Sequence, residues 1–179
     1  MHCPVCKTTL LMPVKIEADL PAMGCPKCAG ALLPLLYYRY WQERHAADDS
    51  DSLDTGQPVV VEDSHTALSC PKCGRIMTKY KVNGEVGNRL DLCASCDEAW
   101  LDRGEWRLLK SLELHHQLPM VFTDAWQHRV RQDTVEYERR KRYSKLLGEN
   151  VLSEAERIRD WLANQPQRRY ILEFISGGK

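Results

Sequence analysis

The residues with chemistry to offer are eight cysteines in four Cys-x-x-Cys pairs, Cys3/Cys6, Cys25/Cys28, Cys70/Cys73 and Cys93/Cys96. They fall into two sets of four, with internal gaps of 18 and 19 residues, and no cysteine is left over. Two thiolates three positions apart fit one tight knuckle, and two knuckles joined by a hairpin bring four sulfurs to a common centre. Zinc accepts that tetrahedron at about 2.3 Å per sulfur. Two structural Zn²⁺ ions are therefore expected, with iron in the same cage as the alternative that four sulfurs leave open. Proline follows the first cysteine at Pro4, Pro26 and Pro71, fixing φ there and removing a donor. Gly74 stands ready for a positive φ. Lys7, Lys27, Lys72 and Arg75 lie in or just beyond the knuckles and offset part of the charge of four thiolates on one divalent ion.

Disulfides and redox dithiols compete for the same residues. The opening Met1-His2-Cys3-Pro4 has neither the charged nor the apolar region of a signal peptide, so an oxidising destination is not expected. A redox dithiol needs one Cys-x-x-Cys in a βαβ setting, not four in matched sets. Each zinc would be closed by four thiolates, leaving no open position for catalysis. No glycine-rich phosphate loop, nucleophile elbow or HExxH motif is present, so an enzyme is not expected.

The elements that must position these ligands form an internal repeat. Leu32-Leu33 follows Cys28 by the interval at which Trp100-Leu101 follows Cys96. In the second copy, Ile76 to Val82 reads as a strand with Thr78, Tyr80 and Val82 on one face. Asn83-Gly84 reads as a hairpin turn, and Arg89 to Leu92 as the returning strand. Trp100-Leu101 is expected to cover the site. Asp102 and Glu105 suggest a capping box opening a helix from about Arg103 toward Leu118, with Trp106, Leu109, Leu112 (or Glu113) and His116 on one stripe. So small a module cannot bury much surface, and metal ligation must replace part of its core.

These readings give an α+β, metal-dominated fold. Residues 1–45 form a first zinc ribbon, 46–66 an acidic linker, 67–118 a second ribbon with its helix, and 119–179 a helical C-terminal region. Asp48, Asp49, Asp51 and Asp54 mark the linker, and Val59-Val60-Val61 reads as a short strand or a lead-in. With no shared ligand and a linker between them, the two sites are expected to be nearly independent. Beyond Pro119, Asp124 and Gln127 suggest a cap for a helix reaching Leu147, with Gly148 just past its end. Ser153 and Glu156 suggest the start of another helix before Pro166. Tyr170, Ile171, Phe174 and Ile175 suggest a last short one.

The 179 residues carry 25 Lys plus Arg against 25 Asp plus Glu, so global charge gives no argument for nucleic acid. No apolar stretch approaches the length of a membrane span, and a soluble cytoplasmic protein is expected.

Cys70 to Leu112 resembles the bacterial TFIIB-type zinc-ribbon family, also called the transcription-factor zinc-finger family. The resemblance rests on Cys70-Pro-Lys-Cys73-Gly74, on Cys93-x-x-Cys96 and above all on Trp100-Leu-Asp-Arg-Gly-Glu105. It covers about forty residues. The N-terminal segment resembles the family more weakly, keeping Cys-Pro-x-Cys twice and Lys7-Thr8-Thr9-Leu10 but having Ala31-Leu32-Leu33-Pro34 in place of the last motif. Asp97-Glu98-Ala99 also departs from the family's usual glycines and β-branched residue. The resemblance implies a β-ribbon zinc fold, and the family's name suggests transcription.

Other clusters have plainer readings. Arg139-Arg140-Lys141-Arg142, with Arg129 and Lys145, could meet phosphates, but acidic neighbours Asp133, Glu136 and Glu138 favour a solvated helix face. His115-His116 lacks a partner at metal-ligand spacing and reads as packing or surface. Tyr37, Tyr38, Tyr40 and Trp41 read as packing against a ribbon before stacking on bases. The expected function is a non-catalytic zinc-ribbon module for protein–protein interaction, with homo-oligomerisation through the C-terminal helices as one form. The alternatives are a nucleic-acid-binding or transcription-associated factor and a thiol-based redox or zinc sensor.

Overall fold

The computed structural model describes residues 1–45, 61 and 63–177. Most of the acidic segment 46–66, including two of the three valines, lies outside the described residues. Strands β1 (Met12–Glu17), β2 (Leu20–Gly24) and β3 (Ala31–Pro34) form the first ribbon, and β4 (Thr78–Lys81), β5 (Arg89–Cys93) and β6 (Glu98–Leu101) form the second. All six make one antiparallel sheet in the order β1-β2-β3-β6-β5-β4. The fold is α+β, as expected, but the ribbons are not separate in space. Met1–Thr134 is one compact unit and Val135–Lys179 a second.

The seam between the ribbons explains the sheet order. β3 pairs with β6 in the register Ala31↔Leu101, Leu32↔Trp100, Leu33↔Ala99, Pro34↔Glu98. Leu32 and Trp100 are the equivalent positions of the repeat, so a pseudo-two-fold axis passes through their pair. Antiparallel pairing of equivalent strands produces this symmetry without further design. Both sequences put large apolar side chains on both faces of a short strand, which requires cover on both sides. Leu32 and Trp100 face one side with Cys3, Cys25, Cys70 and Cys93. Leu33, Ala99 and Leu101 face the other, against Tyr38, Trp41, Trp106 and Leu109.

Helix α1 (Leu35–His45) follows β3 directly, and α2 (Glu105–Ser111) follows β6 after a short turn. The short α3 (Leu118–Val121) completes this layer. Trp41 and Trp106 meet edge to face at 5.6 Å. The Tyr38 hydroxyl donates to His115 O and accepts from Leu118 N, and burial pushes its pKa up to about 12. Trp41 also stacks on His116 at 5.2 Å, so the histidine pair has a packing role. Of the four aromatics in α1, Tyr38 and Trp41 are buried, whereas Tyr37 and Tyr40 point to solvent.

Three expectations are corrected. α2 starts at Glu105 rather than Arg103 and stops at Ser111 rather than near Leu118, because Glu113 takes a left-handed φ of 58°. Asn83-Gly84 does not make a two-residue hairpin. Asn83 Oδ1 instead accepts from Glu85 N and Val86 N, and the ladder resumes where Val82 N meets Asn88 O. Gly84 is needed there because a Cβ would come within 2.6 Å of Asp133 Cβ. The long helix α4 (Asp124–Leu147) is capped by Thr123, whose Oγ1 accepts from Trp126 N, while the Gln127 side chain holds Lys81 of β4. α4 ends at Leu147 before Gly148 at φ 78°, as the sequence indicated.

In the second unit, α5 (Glu149–Ala163) begins four residues before the expected Ser153, with Gly148 as its N-cap residue. α6 (Arg168–Ser176) comes next. No helix among the described residues is long and apolar enough to cross a membrane.

Candidate metal centres

Backbone geometry builds the knuckles twice. Lys7 N donates to Cys3 O and Cys3 N to Thr9 O; Gly74 N donates to Cys70 O and Cys70 N to Arg75 O. Each first knuckle sits in a small antiparallel bridge, His2 to Leu10 and Ser69 to Ile76. The residue after each of the four knuckles is left-handed: Lys7 at 63°, Ala29 at 57°, Gly74 at 75° and Asp97 at 56°. Only one of the four is the expected glycine. The other three accept a strain of about 1 kcal/mol each, and a metal that fixes the knuckles would offset it.

The sulfurs converge as the spacing indicated. Cys3 Sγ lies 3.6 Å from Cys28 Sγ, Cys25 Sγ 3.9 Å from Cys6 Sγ, and Cys73 Sγ 3.6 Å from Cys93 Sγ. Within each set all four sulfurs lie within 4.8 Å of one another, and all eight thiols are free. A tetrahedron with a radius of about 2.3 Å has edges of about 3.8 Å, so both sets fit one metal ion each. A disulfide would need sulfurs about 2.05 Å apart. All eight cysteines expected as ligands are thus brought together in the expected sets.

The thiols are electrostatically uneven. Cys25 falls to about 7: burial opposes ionisation, but the backbone N–H groups of Cys28 and Lys27 outweigh it. Cys73, the most exposed, falls to about 7 chiefly through Arg75 N–H. Burial raises Cys3, Cys28 and Cys70, and Cys96 is pushed up to about 12 mainly by sharing a hydrogen bond with Cys73. Metal binding deprotonates coordinating thiols outright. Near each cage, Lys72 donates to the buried Glu98 at 2.9 Å and Arg75 to Ser95 Oγ. Asp97 ties the two halves together: it forms a two-pronged pair with Arg39 of α1, and its carbonyl accepts from Leu35 N.

Trp100 does more than cover its own site. It is fully buried in one apolar cluster with Leu32, Leu68 and Met77 and with cysteines of both sets. The two centres therefore share a core, and near-independence of the sites is not what this packing supports.

The Trp100–Glu105 turn has its own network. Trp100 Nε1 donates to Asp102 Oδ1 and Ser64 N to Asp102 Oδ2, each at 2.8 Å. Asp102 N donates to Glu105 Oε2, which is half of the expected capping box. The Asp102 side chain is diverted to Trp100 and Ser64, so it does not cap, and Gly104 at φ 85° precedes the helix. Asp63 joins Asp102 and Glu105 with oxygens within 4.8 Å. Sequence could not reveal Asp63, since nothing in its neighbourhood marks it. Burial pushes Glu105 up to about 8, and burial pushes Asp91 up to about 6 against the Lys79 ammonium 2.8 Å away.

The basic run is largely paired. Arg139 meets Glu136, Arg140 meets Glu149 and Glu156, and Lys141 and Arg142 lie over the rings of Tyr137 and Tyr143. Comparison of the chain with models of known families, with characterised proteins and with solved structures finds no match.

Proposed function

We propose that the protein is a non-catalytic zinc protein whose double ribbon is a rigid scaffold and whose C-terminal helices dock a second protein chain. Zinc is the ion best suited to two closed four-thiolate cages, since it has no redox chemistry and no geometric preference against a tetrahedron. Membership of the bacterial TFIIB-type zinc-ribbon family is part of this reading, on the strength of Trp100–Glu105.

The observation that carries the docking role lies in the second unit. Among its described residues only Leu152 and Leu162 are buried, while Val151, Ile158, Trp161, Tyr170, Phe174 and Ile175 are exposed. A helical segment of this size with two buried side chains lacks the core that independent stability requires. Its apolar stripes recur at helical spacing on α5 and α6 and call for cover. Nucleic acid is the weaker reading, because the arginines that would meet phosphates are engaged by glutamates and the net charge is zero.

The test compares the metal-loaded full chain with a Trp161→Glu, Phe174→Glu variant. Light scattering reads self-association, and capture from native lysate with identification reads a different partner. The wild type should do one or the other, and the variant neither, at unchanged metal content. Identical behaviour of the two proteins in both measurements would overturn the docking role. One metal per chain, or iron in elemental analysis, would overturn the assignment of two zinc ions.

A further inference from the structure

We propose that Asp63, Asp102 and Glu105 form a third cation site, distinct from the thiolate cages and suited to a hard divalent ion of the calcium type. The three carboxylates place oxygens within 4.8 Å of one another, no further apart than two calcium–oxygen bonds of about 2.4 Å end to end. The set offers oxygen and neither sulfur nor imidazole, which selects against zinc and copper and for calcium, magnesium or manganese.

Clustering alone would not make a site; the state of the oxygens does. Glu105 is 1% exposed, one of its oxygens accepts from Asp102 N, and the other, Oε1, is buried and makes no hydrogen bond of ordinary length and angle. The Asn88 amide lies beside it without a hydrogen bond of normal geometry. Asp63 Oδ1 is likewise buried and unpartnered. A fourth carboxylate, Asp91, is 1% exposed with one oxygen held by Lys79 and the other unpartnered. The four carboxylates are met by the Lys79 ammonium, with Arg89 and His65 acting on Asp63 alone. Buried charges are tolerated when paired or when they coordinate a metal, and a divalent ion supplies the missing positive charge.

Both oxygens of Asp102 are already oriented, by Trp100 and Ser64, as outer hydrogen bonds orient metal ligands generally. Asp102 also lines an apolar groove of about 380 Å³ beside β1. An ion here would clamp the chain at 63–64, near the C-terminal end of the acidic segment, to the turn that follows β6.

Terbium(III) is the probe, added to the metal-loaded full chain with excitation through tryptophan. The Trp100 indole is hydrogen-bonded to Asp102 and so sits within energy-transfer range of the ion. One saturable equivalent of sensitised emission is expected, displaced by Ca²⁺. Asp63→Asn and Glu105→Gln should each weaken it by roughly tenfold or more while both thiolate cages keep their metal. Asp63→Asn removes no hydrogen bond that holds a strand or helix, so it remains informative if Glu105→Gln folds poorly. Absent emission, emission that Ca²⁺ does not displace, or emission equally strong in the Asp63→Asn variant would overturn the site.

Discussion

The two ribbons gather their four sulfurs in the same way and part company beyond the last cysteine of each set. Their knuckles repeat down to the left-handed residue after each, Lys7 against Gly74 and Ala29 against Asp97. After Cys28 the first ribbon offers Leu32, then Pro34, and enters α1 at once. After Cys96 the second offers Trp100 and Asp102, then a turn built on Gly104 and Glu105 before α2. The metal cage tolerates little variation because four sulfurs must reach one point. The strand beyond it is free to diverge, and here it diverges into a complementary pair in which the Trp100 ring and the Leu32 side chain share one core.

The sharpest way to break this comparison is to remove a ligand from one ribbon. Cys93→Ser should cost metal at both cages, because Cys3, Cys25, Cys70 and Cys93 share a core around Leu32 and Trp100. Elemental analysis decides it: retention of one full equivalent would show two independent ribbons in spite of the common sheet.

Next in size is the seam. Trp100→Ala should destabilise the unit by about 3 to 5 kcal/mol, since the ring is fully buried and its Nε1 holds Asp102. Leu32→Ala at the equivalent position should cost less, about 2 to 4 kcal/mol. Equal losses in denaturant melts would mean that the two partners contribute alike and that the asymmetry has no energetic content.

The smallest effect concerns Glu105, whose counterpart in the first ribbon is the exposed Tyr37. Its folded pKa of about 8 lies above the ordinary 4.5. The folded state thus holds a proton that the unfolded state has lost between those values, and stability falls as pH rises through that window. Glu105→Gln should escape the fall, gaining on wild type by a few degrees of melting temperature between pH 5 and pH 8, roughly, with no hard divalent ion added. Tyr37→Gln should show no such trend. Parallel pH profiles for wild type and Glu105→Gln would mean that Glu105 is ionised in the fold.

The legible part of the molecule was the part set by local chemistry. Thiolate spacing gave both cages, the repeat gave equivalent strands, and Gly148 gave the end of α4. The seam was not legible, because Ala31–Pro34 and Glu98–Leu101 are far apart in sequence and nothing local says that two apolar strands will pair with each other. Asp102 and Glu105 have cap spacing, but a buried Trp100 N–H needed an acceptor and took the Asp102 carboxylate instead. Asn83-Gly84 has the residues of a tight turn, yet Gly84 serves the close passage of α4. In each case a tertiary contact outweighed a local signal worth about 1 kcal/mol or less.

The β3–β6 seam has the form of a contact between two copies of one subunit, in which each presents the same edge to the other. A chain holding a single ribbon would carry that edge bare, with strand donors and acceptors unpaired and an apolar face on either side. Such edges recruit further strands. Each half of the repeat is therefore the other's guard against aggregation, and a fragment cut within the acidic segment should dimerise or precipitate even with its metal in place.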